Sequence, residues 1–268
     1  MATNPQGTAL ITGASTGIGA VYADRLARRG HDLILVARDE ARLNALATSL
    51  RAATGRTVHV LPADLTDPAA LAKVEQRLAT DPAITMLVNN AGIALQGGLL
   101  ESAAAQLQAL IALNVTAPTV LAAAAAKAFA PRRAGTIINI ASVLAVAPEM
   151  MEGAYSGTKA YLLNLTLKLA LDVKQFGLRV QAVLPGATRT EIWERSGMDA
   201  NAFPPDMIMD VGDLVDAALA GLDLGETVTI PPLADPALWA AYDAARLALA
   251  PHLSRRDVAA RYLAKLAA

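Results

Sequence analysis

The chain has 268 residues, a net charge of −1 and a sequence pI near 6.3, which leaves no electrostatic case for nucleic acid or an anionic membrane as partner. It contains no cysteine, so disulfides, thiolate nucleophiles and Cys-based zinc sites are excluded. Hydrophobic residues make up 54% and charged residues only 18%, which points to a large buried framework, most simply one domain over residues 1–268.

The opening "MATNPQGTALITG" has no basic leader before its short apolar run, so it does not read as a signal peptide, and a cytoplasmic setting is expected. Seven short runs then read as strands: 9–12, 32–37, 57–62, 84–88, 136–141, 178–184 and 226–230. Most are apolar throughout rather than alternating, as in strands buried on both faces. Helical patterns lie between them, and Asp67-Pro68 offers an N-cap followed by proline at the first helical position. This rhythm predicts an α/β fold, a Rossmann-like doubly wound parallel sheet of about seven strands with helices on both faces. Mean hydropathy is +0.38, yet no stretch reaches the ~18 uninterrupted apolar residues of a spanning helix; even "VLAAAAAKAFA" at 120–130 is broken by Lys127.

The rhythm fails over about 190–210, where Trp193, Phe203 and three methionines mix with Gly197 and Pro204-Pro205. A substrate loop and a helical hairpin packed on the core both fit. From about 233 to 268 the chain reads as two helices separated by Pro251, an extension able to close a pocket or to pack on a neighbouring subunit. The three histidines, His31, His59 and His252, lack metal-ligand spacing, and no metal is assigned.

Chemistry concentrates after the strands. "TGASTGIG" at 12–19 follows the first strand and opens a helix. Gly13, Gly17 and Gly19 permit a tight turn and close approach of a diphosphate, and the helix start at Ser15, Thr16 and Ile18 supplies N–H donors. After strand two, the position where an acidic residue would bind adenosine ribose hydroxyls holds Ala37, and Arg38 follows, which favours a 2′-phosphate and so NADP(H) over NAD(H). Asp39 and Glu40 read as first-turn helix residues. Asp64 and Leu65 after strand three, and Asn90, Ala91 and Gly92 after strand four, stand where an open parallel sheet binds ligands.

"TGASTGIG", "NNAG", Asn114 in "LNVT", Ser142 in "NIAS", "YSGTK" and "PGATRT" run in one order over about residues 8–190. In this the chain resembles the short-chain dehydrogenase/reductase family, in its single-domain branch. The resemblance implies a catalytic set of Asn114, Ser142, Tyr155 and Lys159. Tyr155 becomes the acid/base on the substrate oxygen. Lys159, four residues on, is expected to lower the phenol's pKa and to bind the nicotinamide ribose. Ser142 is expected to bond the substrate oxygen, and Asn114 to hold a water in a proton relay. Pro185, Gly186, Thr188 and Thr190 would meet the nicotinamide end. Many NADP-dependent members carry a basic residue just before the second glycine, where this chain has Thr16, so the cofactor preference rests on Arg38.

The family's pocket positions bring in Leu144, Met151 and Trp193 beside Ser142 and Tyr155, a mostly apolar set suited to a ketone or secondary alcohol with a hydrophobic body. The implied reaction is NADP(H)-dependent interconversion of a carbonyl compound and an alcohol, a small molecule in either direction. The family also implies a homodimer or homotetramer built through helices near 102–128 and 154–176. Two rival readings stay open on the same fold: a dinucleotide-binding sensor or scaffold without chemistry, and an epimerase or dehydratase, for which the length leaves little room.

Overall fold

The structure is a computed structural model that describes residues 6–95, 97–150, 153–192 and 204–266. The chain divides into two compact units, 1–232 and 233–268. In the first, strands and helices alternate: β1 (Thr8–Thr12), α1 (Gly17–Arg28), β2 (Asp32–Ala37), α2 (Glu40–Thr54), β3 (Val58–Pro62), α3 (Pro68–Thr80) and β4 (Ile84–Asn89). There follow α4 (Ala104–Ile111), a π-helical turn (Ala112–Thr116), α5 (Ala117–Phe129), β5 (Thr136–Ile140), α6 (Gly153–Val173), β6 (Arg179–Val183), α7 (Val211–Asp223) and β7 (Val228–Thr229). The second unit holds α8 (Pro236–Leu249) and α9 (Ala260–Leu266), with a 3₁₀ turn over Ala250–His252 between them.

All seven strands are parallel, in the order β3-β2-β1-β4-β5-β6-β7. The expected doubly wound sheet is therefore present. Strand β7 is shorter than its sequence run, two residues at the sheet's edge. Two-residue periodicity sorts the core into two layers. Ala9 and Ile11 of β1 face Tyr22, Leu26, Leu43 and Leu219 of α1, α2 and α7. Leu10, between them, faces the opposite layer, with Val74 and Leu78 of α3 and Leu121 and Phe129 of α5.

Helix starts follow their capping residues. Asp39 accepts from the Arg42 N–H at 2.9 Å to cap α2, and Asp67 accepts from Ala69 and Ala70 to cap α3. Asp39 is thus occupied with the helix, as the sequence implied. The helical stretch Ala104–Arg132 is long and apolar enough to cross a membrane by length and composition. The Lys127 interruption does not lower its mean hydropathy enough to prevent that. Half of its most apolar window is nevertheless buried inside the protein, where α5 packs on the sheet as a core helix.

The strand order reverses between β1 and β4, since the chain first builds outward through β2 and β3 and then returns to the other side of β1. The carboxyl ends of these two strands open the crevice where this topology receives ligands.

Candidate active site

At that crevice, Thr12 ties the two strand ends together. Its Oγ1 accepts from the N–H groups of Asn90 and Ala91, each at 3.0 Å, and donates to the Val88 carbonyl at 3.3 Å. The Asn90 amide donates back to the carbonyls of Thr12 and Gly13 at 2.9 and 3.2 Å. The sequence reading did not single out Thr12 as a site residue, because a threonine closing a strand carries no distinct signal. A Cβ on Gly19 would lie 2.3 Å from the Gly13 carbonyl oxygen, so glycine is needed there for α1 to close on the loop. Gly17 turns with φ +54° opposite the Thr190 methyl. Thr16 caps α1 without a side-chain hydrogen bond, and Ile18 packs against the core while Ser15 is half-buried.

Arg38 stands exposed at the end of β2, and its charge helps hold the Asp64 carboxyl below its usual range, after the larger effect of the Thr66 backbone N–H. One Asp64 oxygen already accepts from the Thr66 N–H and hydroxyl at 2.9 and 2.7 Å. Leu65 buries its side chain in the core, so only its main chain can meet a ligand. One turn beyond Arg38, Arg42 bonds Glu191 at 2.8 Å, linking α2 to the segment after Thr190.

The candidate catalytic side chains gather at the ends of β4 and β5. Tyr155 and Lys159 share one face of α6, with the Lys159 Nζ 5.5 Å from the Tyr155 ring centre. Both are buried. The Lys159 ammonium donates to the Ile140 carbonyl at 2.9 Å. Burial pulls its pKa down to about 8, and burial pushes the Tyr155 phenol well above its usual range. At the phenol the direction is set by desolvation, and Nζ is directed at the Ile140 carbonyl.

Ser142, two residues past β5, accepts from the Leu144 N–H at 3.2 Å and opens a 3₁₀ turn, which leaves its hydroxyl proton to donate. The next residue, Val143, donates its N–H to the Pro185 carbonyl at 2.9 Å, which fixes the Ser142 turn against the "PGATRT" loop. In that loop Thr188 donates to the Gly186 carbonyl at 3.0 Å.

Asn114 sits in the π-helical turn, a feature common at functional sites. Its side chain accepts from the Ile93 N–H at 3.0 Å, and donates to the Ile93 carbonyl at 2.9 Å and to Thr158 Oγ1 at 3.2 Å. A Cβ on Gly92 would lie 3.3 Å from Asn114 Oδ1 and 3.6 Å from Lys159 Nζ. The glycine thus keeps a cradle clear in front of both. A buried chain supports this end: Asn89 donates to Asn139 at 2.9 Å, Asn139 to Thr166 at 2.9 Å, and Thr166 to the Leu162 carbonyl, joining β4, β5 and α6 below Lys159.

Beside Tyr155 lies an apolar wall of Ala94, Leu95, Leu110 and Leu144, with Ile93, Leu107, Ala154 and Ile192 packed against it. Of these, the sequence reading named only Leu144. Met151 and Trp193 lie outside the described residues, as does most of the 190–210 segment; its described end is a 3₁₀ turn at Pro205–Met207 and a bridge from Met209 to Thr188.

The short chain dehydrogenase family model matches residues 7–201, most of the chain. The protein belongs to the short-chain dehydrogenase/reductase family. This short-chain dehydrogenase is accordingly an oxidoreductase acting on CH–OH groups. It is 33% identical over 186 residues to the human protein named 17-beta-hydroxysteroid dehydrogenase type 3, a match spanning 68% of this chain and 59% of the relative. A short-chain dehydrogenase from Sphingobium yanoikuyae, solved in complex with NADPH, is 53% identical with a TM-score of 0.93, over 96% of this chain and 99% of that one. A bulky-bulky ketone specific alcohol dehydrogenase from Comamonas testosteroni is 47% identical with a TM-score of 0.90, over 97% of this chain and all of the other. Both structural matches are long enough to take in most of the C-terminal unit.

Proposed function

We propose that this short-chain dehydrogenase is NADP(H)-dependent and interconverts hydrophobic ketones, bulky on both sides of the carbonyl, with their secondary alcohols. The observation that carries this reading is the buried Tyr155–Lys159 pair set beside an apolar wall at the sheet's switch point. The NADPH complex of the Sphingobium protein and the ketone class of the Comamonas enzyme support it. The residues present fit a dinucleotide: the α1 start and Gly17 would take the diphosphate, Arg38 a 2′-phosphate, and the cradle before Gly92 the nicotinamide end. When bound, the nicotinamide supplies the hydride.

The chain's own residues manage the proton. Tyr155, kept protonated at neutral pH by burial, donates to the carbonyl oxygen, and Ser142 bonds that oxygen as charge develops. Lys159 positions the phenol's surroundings and carries the charge that favours phenolate after transfer. Asn114 holds the Ile93 loop, and with it the Gly92 cradle, in register. This work is placed in the cytoplasm, in a homodimer or homotetramer. The exposed groove along α6, lined by Gly157, Ala160, Tyr161, Asn164, Leu165 and Lys168, supports assembly because its small residues admit a close helix.

Titrating NADPH and NADH against wild type and Arg38→Ala tests the cofactor. Loss of a charge-assisted phosphate contact is expected to weaken NADPH binding by about 10- to 100-fold and to leave NADH unchanged. Equal affinity of the wild type for both cofactors, or a preference for NADH, would sink the NADP assignment.

A further inference from the structure

Thr158 stands between Tyr155 and Lys159 on α6 and is buried. Its hydroxyl donates to the main-chain carbonyl of Tyr155 at 2.7 Å and accepts from the Asn114 amide at 3.2 Å. Neither helix formation nor burial selects threonine at this position. A hydroxyl inside a helix competes with the ladder and tends to bend it, and valine offers the same branched shape with no polar atom to satisfy. Thr166, further along α6, bonds the carbonyl four residues back, Leu162. Thr158 reaches only three back, to the residue that carries the phenol. Its other bond leads out of the helix. Asn114 accepts from the Ile93 N–H at 3.0 Å and donates to the Ile93 carbonyl at 2.9 Å. Gly92, next to Ile93, faces both Asn114 Oδ1 and Lys159 Nζ. One hydrogen-bonded path therefore runs from the loop after β4, through Asn114 and Thr158, to the first turn of α6.

From this path we propose that Thr158 is a positioning residue for the reaction. Its hydroxyl couples the Gly92–Ile93 loop, against which the nicotinamide end would rest, to the turn of α6 that carries the Tyr155 phenol. The inference rests on the ketone reduction proposed above and adds a residue to it. Thr158 transfers no proton and acts only through Asn114 and the Tyr155 main chain. The coupling matters because the cradle and the phenol belong to separate elements, and a misplacement of about 1 Å between reacting groups costs on the order of 10²-fold in rate. Without the hydroxyl, the Asn114 amide keeps its two bonds to Ile93 but loses its hold on α6.

The test compares Thr158→Val, Thr158→Ala and Thr158→Ser with wild type by ketone reduction and by amide hydrogen exchange of the cofactor-free protein. Loss of the hydroxyl is expected to lower kcat by about 10- to 100-fold and to leave KM for the ketone within about threefold. In the valine and alanine variants, exchange is expected to rise together over residues 90–95 and 153–159. Serine keeps the hydroxyl and is expected to return both readouts most of the way to wild type. The alanine variant carries the test where valine does not fold. Valine and alanine variants that keep more than half of wild-type kcat would overturn the inference. A serine variant as slow as the valine one would also overturn it, since the methyl group rather than the hydroxyl would then matter. Faster exchange confined to α6 overturns the coupling whatever the rates. A wild type that reduces no ketone defeats the functional reading instead, and exchange alone then decides whether Thr158 couples the two segments.

Discussion

Replacing Tyr155 with phenylalanine is expected to lower ketone reduction by roughly 10³-fold while leaving NADPH binding within about twofold. The substitution removes one hydroxyl from a ring that is otherwise packed against Leu110 and Leu144, so the apolar wall and the fold persist. The lost group is the proton donor. The titratable Lys159 beside it is directed at the Ile140 carbonyl, and Ser142 can bond the substrate oxygen without being acidic enough to replace the phenol. Steady-state turnover together with cofactor titration checks this. A variant that retains a tenth or more of wild-type turnover would remove Tyr155 from the mechanism.

Lys159→Met has two expected effects with separate readouts. Turnover falls by at least about 10²-fold, because the phenol loses the charge that favours its ionised form. Stability changes with pH in a sense that follows from burial. Lys159 titrates near 8 in the folded protein, against about 10.4 in an unfolded chain. Between those values the unfolded chain binds more protons, so this group's contribution to stability rises with pH across about 8 to 10.4. Below 8 the folded protein carries the full cost of a buried ammonium, offset in part by its bond to the Ile140 carbonyl. Methionine carries no such cost. The stability of wild type relative to the variant is therefore expected to improve by roughly 3 kcal/mol from pH 7 to pH 10.5. Urea unfolding of both proteins at fixed protein concentration over that range measures it. A constant difference would mean that Lys159 titrates as an exposed lysine does.

Much of the architecture was legible because each strand is a short apolar run of the kind that parallel sheets bury on both faces. The run at 32–37 became β2 over the same residues. The run at 226–230 shrank to Val228–Thr229, since at a sheet edge the strand length depends on how far its single neighbour β6 extends, which no local pattern encodes. For the site, motif spacing indicated that Tyr155 and Lys159 share a helical face. It could not indicate that Nζ reaches across to Ile140, because that depends on strand β5 packing under α6. The apolar wall was hidden for a similar reason. Leu107 and Leu110 belong to α4, more than forty positions before Tyr155, and only the path of the chain after Gly92 brings them beside it. Thr12 and the Asn89–Asn139 pair escaped notice because buried polar residues in strands look, in sequence, like any other interruption of an apolar run.

The measurement that bears most directly on the account is NADPH absorbance in the presence of ketones of increasing bulk on both sides of the carbonyl. The account predicts stoichiometric oxidation of NADPH with formation of the secondary alcohol, and highest kcat/KM for ketones with two large apolar substituents. Binding of NADPH without its oxidation by any ketone, and without its formation from NADP+ and any secondary alcohol, would contradict it.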